Sequence, residues 1–241
     1  PPRSTPLYSS AASDVYKRQG RLGIGIIGAG KVGPVLGAAL AGAGHAIIGV
    51  ATVSEQNRER VKAMLNDVAI LEIPDLIERS ELVILAVPER ELSTLVAGLA
   101  ATGAWRPGQL VMHTAPGLGY SVLAAATAAG AIPLAVHPAM VFTGTSVDLV
   151  RLRESYCAVT APTAVLPIGQ ALVVEMGAEP VIIDEADRAQ YAEAVSTATS
   201  FSAAIVRQAV ALLAEINVES PSHVLAPLVR SSVESALAVE Q

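Results

Sequence analysis

The stretch Gly23 to Gly44, GIGIIGAGKVGPVLGAALAGAG, constrains the fold of this chain more than any other. Residues 23–27 form a short, isoleucine-rich apolar run of the kind a fully buried parallel strand requires. Gly28, Gly30 and Gly33 then match G-x-G-x-x-G, and an Ala/Leu-rich stretch suited to a helix follows. Each glycine has a distinct task. Gly28 permits the tight turn out of the strand, Gly30 lets a pyrophosphate approach the backbone, and Gly33 lets helix and strand pack closely. Pro34 falls in the first helical turn, where its missing N–H costs little. The strand before and the helix after are the context that makes the glycine pattern informative. The loop Gly28-Ala29-Gly30-Lys31-Val32-Gly33 is therefore predicted to hold a dinucleotide at a helix N-terminus.

The rest of the chain is compatible with that frame. It has 241 residues, a net charge of −6, few aromatics and one cysteine. The acidic balance and the lack of any basic run give no support to nucleic-acid binding. Cys157 alone forms no internal disulfide and sits in an apolar run, so it reads as a small buried hydrophobe. No charge occurs between Arg106 and Asp148, but Pro107, Pro116, Pro133 and Pro138 with Gly117, Gly119 and Gly130 interrupt that stretch. No membrane span of about 20 residues is expected there. Residues 1–19 are polar, proline-led and aperiodic, and resemble a non-native leader that is expected to be disordered. A cytoplasmic location fits.

Strand and helix signals alternate through 45–52, 56–66, 68–71, 73–79, 81–87, 109–113, 120–130, 132–136, 155–160, 166–177 and 179–183. Such alternation predicts an α/β, doubly wound, mostly parallel sheet over residues 20–184. Residues 141–152 read as loop and turn. Beyond Asp184 strand signals stop, and 186–216 and 221–239 read as helices of a small all-helical C-terminal region, 185–241, which looks truncated.

Ligands in open parallel sheets sit beyond the carboxyl ends of the strands, so residues there become candidates. An NAD site places an acid at the end of the second strand. This chain has Thr52 and Ser54, with Arg58 following, which suits a 2′-phosphate and so NADP rather than NAD. Glu55 could instead turn inward, and Arg58 could be a solvated helix residue. Ala86, Val87 and Pro88 end another strand on the expected path of the cofactor. His113 and Thr114 end a third, with His113 either structural or cofactor-facing. His137 ends a fourth and is the candidate general acid, because imidazole titrates near neutrality. The alternative is that His137 caps its own loop. Thr143, Thr197 and Ser200 are candidate substrate contacts. His45 and His223 read as structural.

The motifs GIIGAGKVG, LAVPERE, HTAPGLG, AVHPAMVFTG and AEAVSTATSFSAAIVRQA together resemble bacterial Rossmann-like oxidoreductases with a C-terminal domain of unknown function. Relatives of that group include pyrroline-5-carboxylate reductase, ketopantoate reductase and 6-phosphogluconate dehydrogenase-like proteins. The resemblance covers residues 21–239. It implies an N-terminal NAD(P) domain, a helical C-terminal domain and homodimers through those helices. Two departures stand out. Ala115-Pro116 replaces the Ser-Gly of many members, and the His and Asn that many carry near Thr197 and Ser200 are missing. Members also continue past the point where this chain stops. The expectation is an NADP-dependent oxidoreductase acting on a small carbonyl, imine or hydroxy acid, with a 2-oxo acid as the substrate by analogy. The alternative is a non-catalytic NADP-binding sensor. No metal site is expected.

Overall fold

A computed structural model describes residues 21–238. Its centre is a seven-stranded sheet in the order β2-β1-β3-β4-β5-β6-β7. The strands are β1 (Gly23–Ile27), β2 (Ala46–Ala51), β3 (Leu82–Leu85), β4 (Leu110–His113), β5 (Ile132–Pro138), β6 (Tyr156–Thr160) and β7 (Glu179–Ile182). The first five run parallel, β6 is antiparallel to β5, and β7 is parallel to β6. This is the doubly wound, mostly parallel sheet that the alternating signals predict.

Side chains alternate across this sheet with a period of two, and both faces are buried. In β3, Leu82 and Ile84 join one apolar cluster, while Val83 and Leu85 join the other. The first cluster is closed by helix α1 (Gly33–Gly42) through Leu36 and Leu40, with Leu172 and Val173 of a later helix. The second is closed by α3 (Ile73–Arg79) and α4 (Glu89–Ala101), through Leu76, Ile77, Leu92 and Val96. Each fully buried Leu or Ile stabilises the fold by about 1.5–3 kcal/mol, so an apolar run such as LVIL has no solvent-facing alternative.

The remaining elements of this unit are α2 (Glu55–Met64), α5 (Ala124–Ala128) after a 3₁₀ turn at Tyr120–Leu123, α6 (Val147–Arg153) and α7 (Leu166–Glu175). Two expectations need correction. Residues 68–71 do not form a strand. They touch the β2 edge through one bridge, Val50 with Ile70, before Pro74 turns the chain into α3. Residues 141–152 are not all loop, because Val147–Arg153 is helical, with Asp148 in its first turn and Arg151 and Arg153 in its last. Those charges match the helix dipole at both ends.

The chain divides into two compact units, one up to Tyr191 and one from Ala192. The boundary falls inside α8 (Arg188–Ser196). The expected single helix over 186–216 is interrupted by a π-helical turn, Thr197–Phe201, before α9 (Ser202–Glu215). The Oγ of Ser202 bonds to the carbonyls of Ala198 and Thr199, and that of Thr199 to Val195. Such back-bonding by Ser and Thr loosens the regular ladder. After a break at Asn217, α10 (Pro221–Ala238) packs on α9 within the second unit. The run Glu185–Glu215 is, among the described residues, one helix long and apolar enough to cross a membrane by length and composition. The leader, residues 1–19, lies outside the described residues.

Candidate functional site

The sheet order reverses between β1 and β3, the switch point where α/β sheets open a crevice beyond their carboxyl ends. A cleft of about 430 Å³ lies there, lined by Gly30 and Val32 after β1, Ala86–Glu89 after β3, Thr114–Pro116 after β4, and His137, Pro138, Met140 and Phe142 from β5 onward. Four loops from four strands thus meet in one cavity. Among the residues predicted from the sequence, the cleft gathers Gly30, Val32, Ala86, Val87, Pro88, Thr114 and His137.

The glycine loop is shaped as its sequence requires. Gly28 has φ +99, and a Cβ there would collide with the Ala86 carbonyl. A Cβ at Gly33 would collide with the Gly28 carbonyl, so α1 packs against the turn without a side chain between them. At Gly30, by contrast, a Cβ would meet nothing within 4 Å. That open space is where a phosphate group has room to approach the backbone. No side chain caps the first turn of α1, which leaves its N–H groups available to an anion. Ala29 is buried and Lys31 is exposed at the loop's rim. The residues present fit a dinucleotide.

At the end of β2, Thr52 and Ser54 are partly exposed and Ser54 precedes α2. Arg58 is turned outward, 3.9 Å from Glu55, with its side chain 45% exposed. Arg60, which the sequence reading passed over, is the better placed arginine. Its Nη1 donates to the Ala29 carbonyl at 3.2 Å and to Asn57 Oδ1 at 2.8 Å. This fixes a cation against the glycine loop. Lys31 and Arg60 both pack against Gly144. The sequence shows only that Arg60 and Asn57 share a helix face, while the direction of that face toward the loop is set by the fold.

Asp148 holds the segment over that cation pair. It is fully buried, and its carboxylate accepts from the Thr143 N–H (2.9 Å), the Gly144 N–H (2.7 Å) and the Thr143 hydroxyl (2.9 Å). Burial pushes its pKa up, but the hydrogen bonds from Gly144, Thr143 and Thr145 outweigh it and leave the carboxyl below its ordinary range. Thr143, expected to contact substrate, therefore spends its hydroxyl inside this loop. Met140 and Phe142 line the cleft instead.

The two strand-end histidines differ. His113 is completely buried and does not line the cleft. Its Nε2 bonds the Gly119 carbonyl at 2.8 Å, and its Nδ1 accepts from the Ala115 N–H at 3.2 Å. The expected cofactor-facing role gives way to a structural one, with the ring folding residues 113–119. Burial pushes its pKa down to about 4, with Arg188 adding to the effect.

His137 does line the cleft, but it neither caps its own loop nor titrates near neutrality. Its Nδ1 lies 2.9 Å from the hydroxyl of Tyr191 on α8, and the two rings meet edge to face, centroids 5.6 Å apart. Burial, then the Arg188 cation, then His113 push its pKa down to about 4, so the imidazole is neutral at pH 7. The expected titration near neutrality is corrected accordingly. Beside Tyr191, Arg188 is 1% exposed and donates to Thr160 Oγ1 (2.7 Å) and to the carbonyls of Ala135 (3.1 Å), Ala158 (3.3 Å) and Pro116 (3.4 Å). All four acceptors are neutral. Its guanidinium carbon is 5.8 Å from the Tyr191 ring centroid. Nothing in the sequence marks this pair, because only folding brings residues 188 and 191 against β5 and β6.

The other candidates lie elsewhere. Thr197 and Ser200 are exposed on the π-helical turn of the second unit. Burial pushes the Cys157 thiol up to about 12, which fits the inert role expected of it. His45 bridges Leu22 and Glu175 at the amino ends of the strands, away from the cleft. Among the described residues no cluster of three or more His, Cys, Asp or Glu could hold a metal.

The family model of the Rossmann-like domain matches residues 8–138. The chain belongs to the Rossmann-like domain family. A second model, a domain of unknown function designated DUF2520, matches residues 155–241. The Rossmann-like sheet therefore extends past the first model, since β6 and β7 fall under the second. No curated protein matches the sequence. Among solved structures, this Rossmann-like chain is similar to a candidate NADP oxidoreductase from Bacteroides fragilis, at 20% identity and TM-score 0.73, over 89% of this chain and 80% of that one. It is also similar to 1-pyrroline-5-carboxylate reductase from Streptococcus pyogenes, at 18% identity and TM-score 0.67, over 92% and 80%. An imine reductase from Pseudomonas sp. aligns at 13% identity and TM-score 0.67, over 91% and 76%. At these identities the likeness concerns the fold.

Proposed function

We propose that the chain is an NADP-dependent oxidoreductase that moves a hydride between the nicotinamide and a small carbonyl, imine or hydroxy-acid substrate. The observation that carries this reading is the single cleft at the switch point, where the glycine loop, Ala86–Pro88, Thr114 and His137 meet. Gly30 and the uncapped first turn of α1 would receive the pyrophosphate. Lys31 and Arg60, with Arg58 further out, would receive the 2′-phosphate, and no acid closes β2 to favour the free ribose of NAD. Once bound, the cofactor supplies the hydride. The chain orients it, and Met140 and Phe142 narrow the cleft against water. His137, neutral, offers a hydrogen bond to the substrate atom that gains the electron pair. The names of the similar structures support the same class of reaction. The reading includes a homodimer through the C-terminal helices and a cytoplasmic location.

The test is a fluorescence titration with NADPH and NADH, followed by a turnover screen against cyclic imines and 2-oxo acids. NADPH is expected to bind more tightly, and tighter NADH binding would overturn the assignment. Arg60→Ala should weaken NADPH by roughly 1.5–3 kcal/mol, the range of a charged hydrogen bond, and reduce the preference over NADH. NADPH binding without turnover of any substrate would favour a sensor.

A further inference from the structure

His137, Tyr191 and Arg188 form a line running from the cleft into the protein, and each member has a property that a mere packing contact does not need. His137 Nδ1 is engaged by the Tyr191 hydroxyl at 2.9 Å. Among the described residues the only buried side-chain polar atom without a partner is Gln109 Oε1. Among the described residues His137 Nε2 has no hydrogen-bond partner, and since it is not one of the buried unpartnered atoms it keeps accessible surface, on a residue that lines the cleft. Tyr191 is followed in turn by a guanidinium 5.8 Å from its ring. That guanidinium is buried, its four hydrogen-bond acceptors are all neutral, and none of its direct partners is a carboxylate. Burying a cation with its carboxylates, Glu185 and Glu89, only at longer range is costly, and groups retained at such a cost cluster at functional sites.

We propose that Tyr191 and His137 form a proton relay into the cleft, with Arg188 as the fixed charge that stabilises the phenolate end of the line. The inference rests on the oxidoreductase reading above. In the reductive direction, the substrate carbon gains the hydride and the C=O or C=N electron pair moves to the heteroatom. That heteroatom takes the proton from His137 Nε2. The N–H bond breaks there as Nδ1 gains the Tyr191 phenolic proton, so the imidazole stays neutral throughout. The negative charge comes to rest on the Tyr191 oxygen, in the field of the Arg188 cation 5.8 Å from the ring centroid, and solvent returns the proton. Tyr191 is the reservoir and His137 the group that touches substrate. Arg188 is a positioning residue.

The electrostatics agree. The charged or titratable groups around His137 are Arg188 and Tyr191 on α8, His113 on β4, Cys157 on β6 and Glu89 at the cleft rim. Arg188 and His113 both disfavour a second proton on the ring, which keeps the neutral form that a relay needs. Burial raises the Tyr191 pKa while Arg188 lowers it, so the hydroxyl keeps its proton at rest and has a cation waiting when it gives that proton up.

The decisive measurement is ¹⁵N NMR of the imidazoles in the intact chain, with His137→Gln identifying the resonance. At pH 7 His137 should be the Nε2–H tautomer, and Tyr191→Phe should shift the ring toward a mixture. An Nδ1–H tautomer, donating to Tyr191, overturns the relay whether or not a substrate is known. Arg188→Met should raise the pKa of His137. If that variant does not fold, the Tyr191→Phe tautomer decides. On any substrate found by the screen, Tyr191→Phe should lower kcat roughly 10²–10⁴-fold while leaving NADPH affinity unchanged. A kcat within a few-fold of the parent also overturns it. If no substrate turns over, the oxidoreductase reading fails by itself and the tautomer result still stands.

Discussion

His113 and His137 end neighbouring strands and share a depressed pKa, yet they are put to opposite uses. His113 spends both ring nitrogens on the backbone of residues 113–119. Its neutral form is part of the fold, because charging the ring would replace the acceptor at Nδ1 with a donor facing the Ala115 N–H. The sign of the resulting pH dependence follows directly. The folded state holds the ring near pKa 4, the unfolded chain near 6.5, so the unfolded state binds more protons between these values. The contribution is fully present above pH 6.5 and is lost as the pH falls toward 4. It amounts to roughly 3 kcal/mol from 1.36 kcal/mol per pKa unit. Melting temperatures measured from pH 7.5 to 4.5 should fall for the parent and fall less for His113→Gln, with the similarly depressed His137 supplying the remaining slope. Parallel curves would show that another group governs the acid limb. The His-Thr motif marks His113 in the sequence, but its burial does not, because burial depends on Gly119 returning to the ring from six residues away.

At the scale of elements, the strands are readable because β1, β3 and β4 are continuous apolar runs buried on both faces. Helix α6 was hidden for the opposite reason. It has only seven residues, and the polar segment Thr143–Ser146 before it reads as the continuation of a loop. Its value lies in Asp148, whose carboxylate organises the Thr143–Gly144 turn against Lys31 and Arg60. Replacing Asp148 by Ala should remove the acceptor for the buried Gly144 N–H and the part-buried Thr143 N–H. Stability should drop by roughly 1–3 kcal/mol. NADPH affinity should weaken as well, because the loop no longer holds the two cations in place. Urea unfolding and an NADPH titration on the same sample check both effects, and an unchanged affinity would detach the loop from the cofactor site. The partnership of the relay was not legible, although His137 itself was, since His137 and Tyr191 are 54 residues apart and meet only because α8 returns against β5.

At the scale of the whole molecule, the second unit exposes a row of large apolar side chains. Ile205, Leu212 and Ile216 are each more than half exposed, as are Val224, Leu228 and Leu237 on α10. Exposed apolar surface of this extent is what an association face requires. Under the proposed homodimer, light scattering should give twice the chain mass, and Leu212→Glu should shift it toward one. A parent that elutes as a monomer at micromolar concentration would refute the assembly. The seam between the two family models has another consequence. One model ends with β5, at its last residue 138, and the other begins at residue 155, just before the strand that pairs with β5. The cut therefore runs down the middle of a hydrogen-bonded ladder. Separating the chain at that point would leave two open sheet edges, one along β5 and one along β6. The boundary between the two sequence families is thus not a boundary between folding units, because neither part closes its share of the sheet without the other.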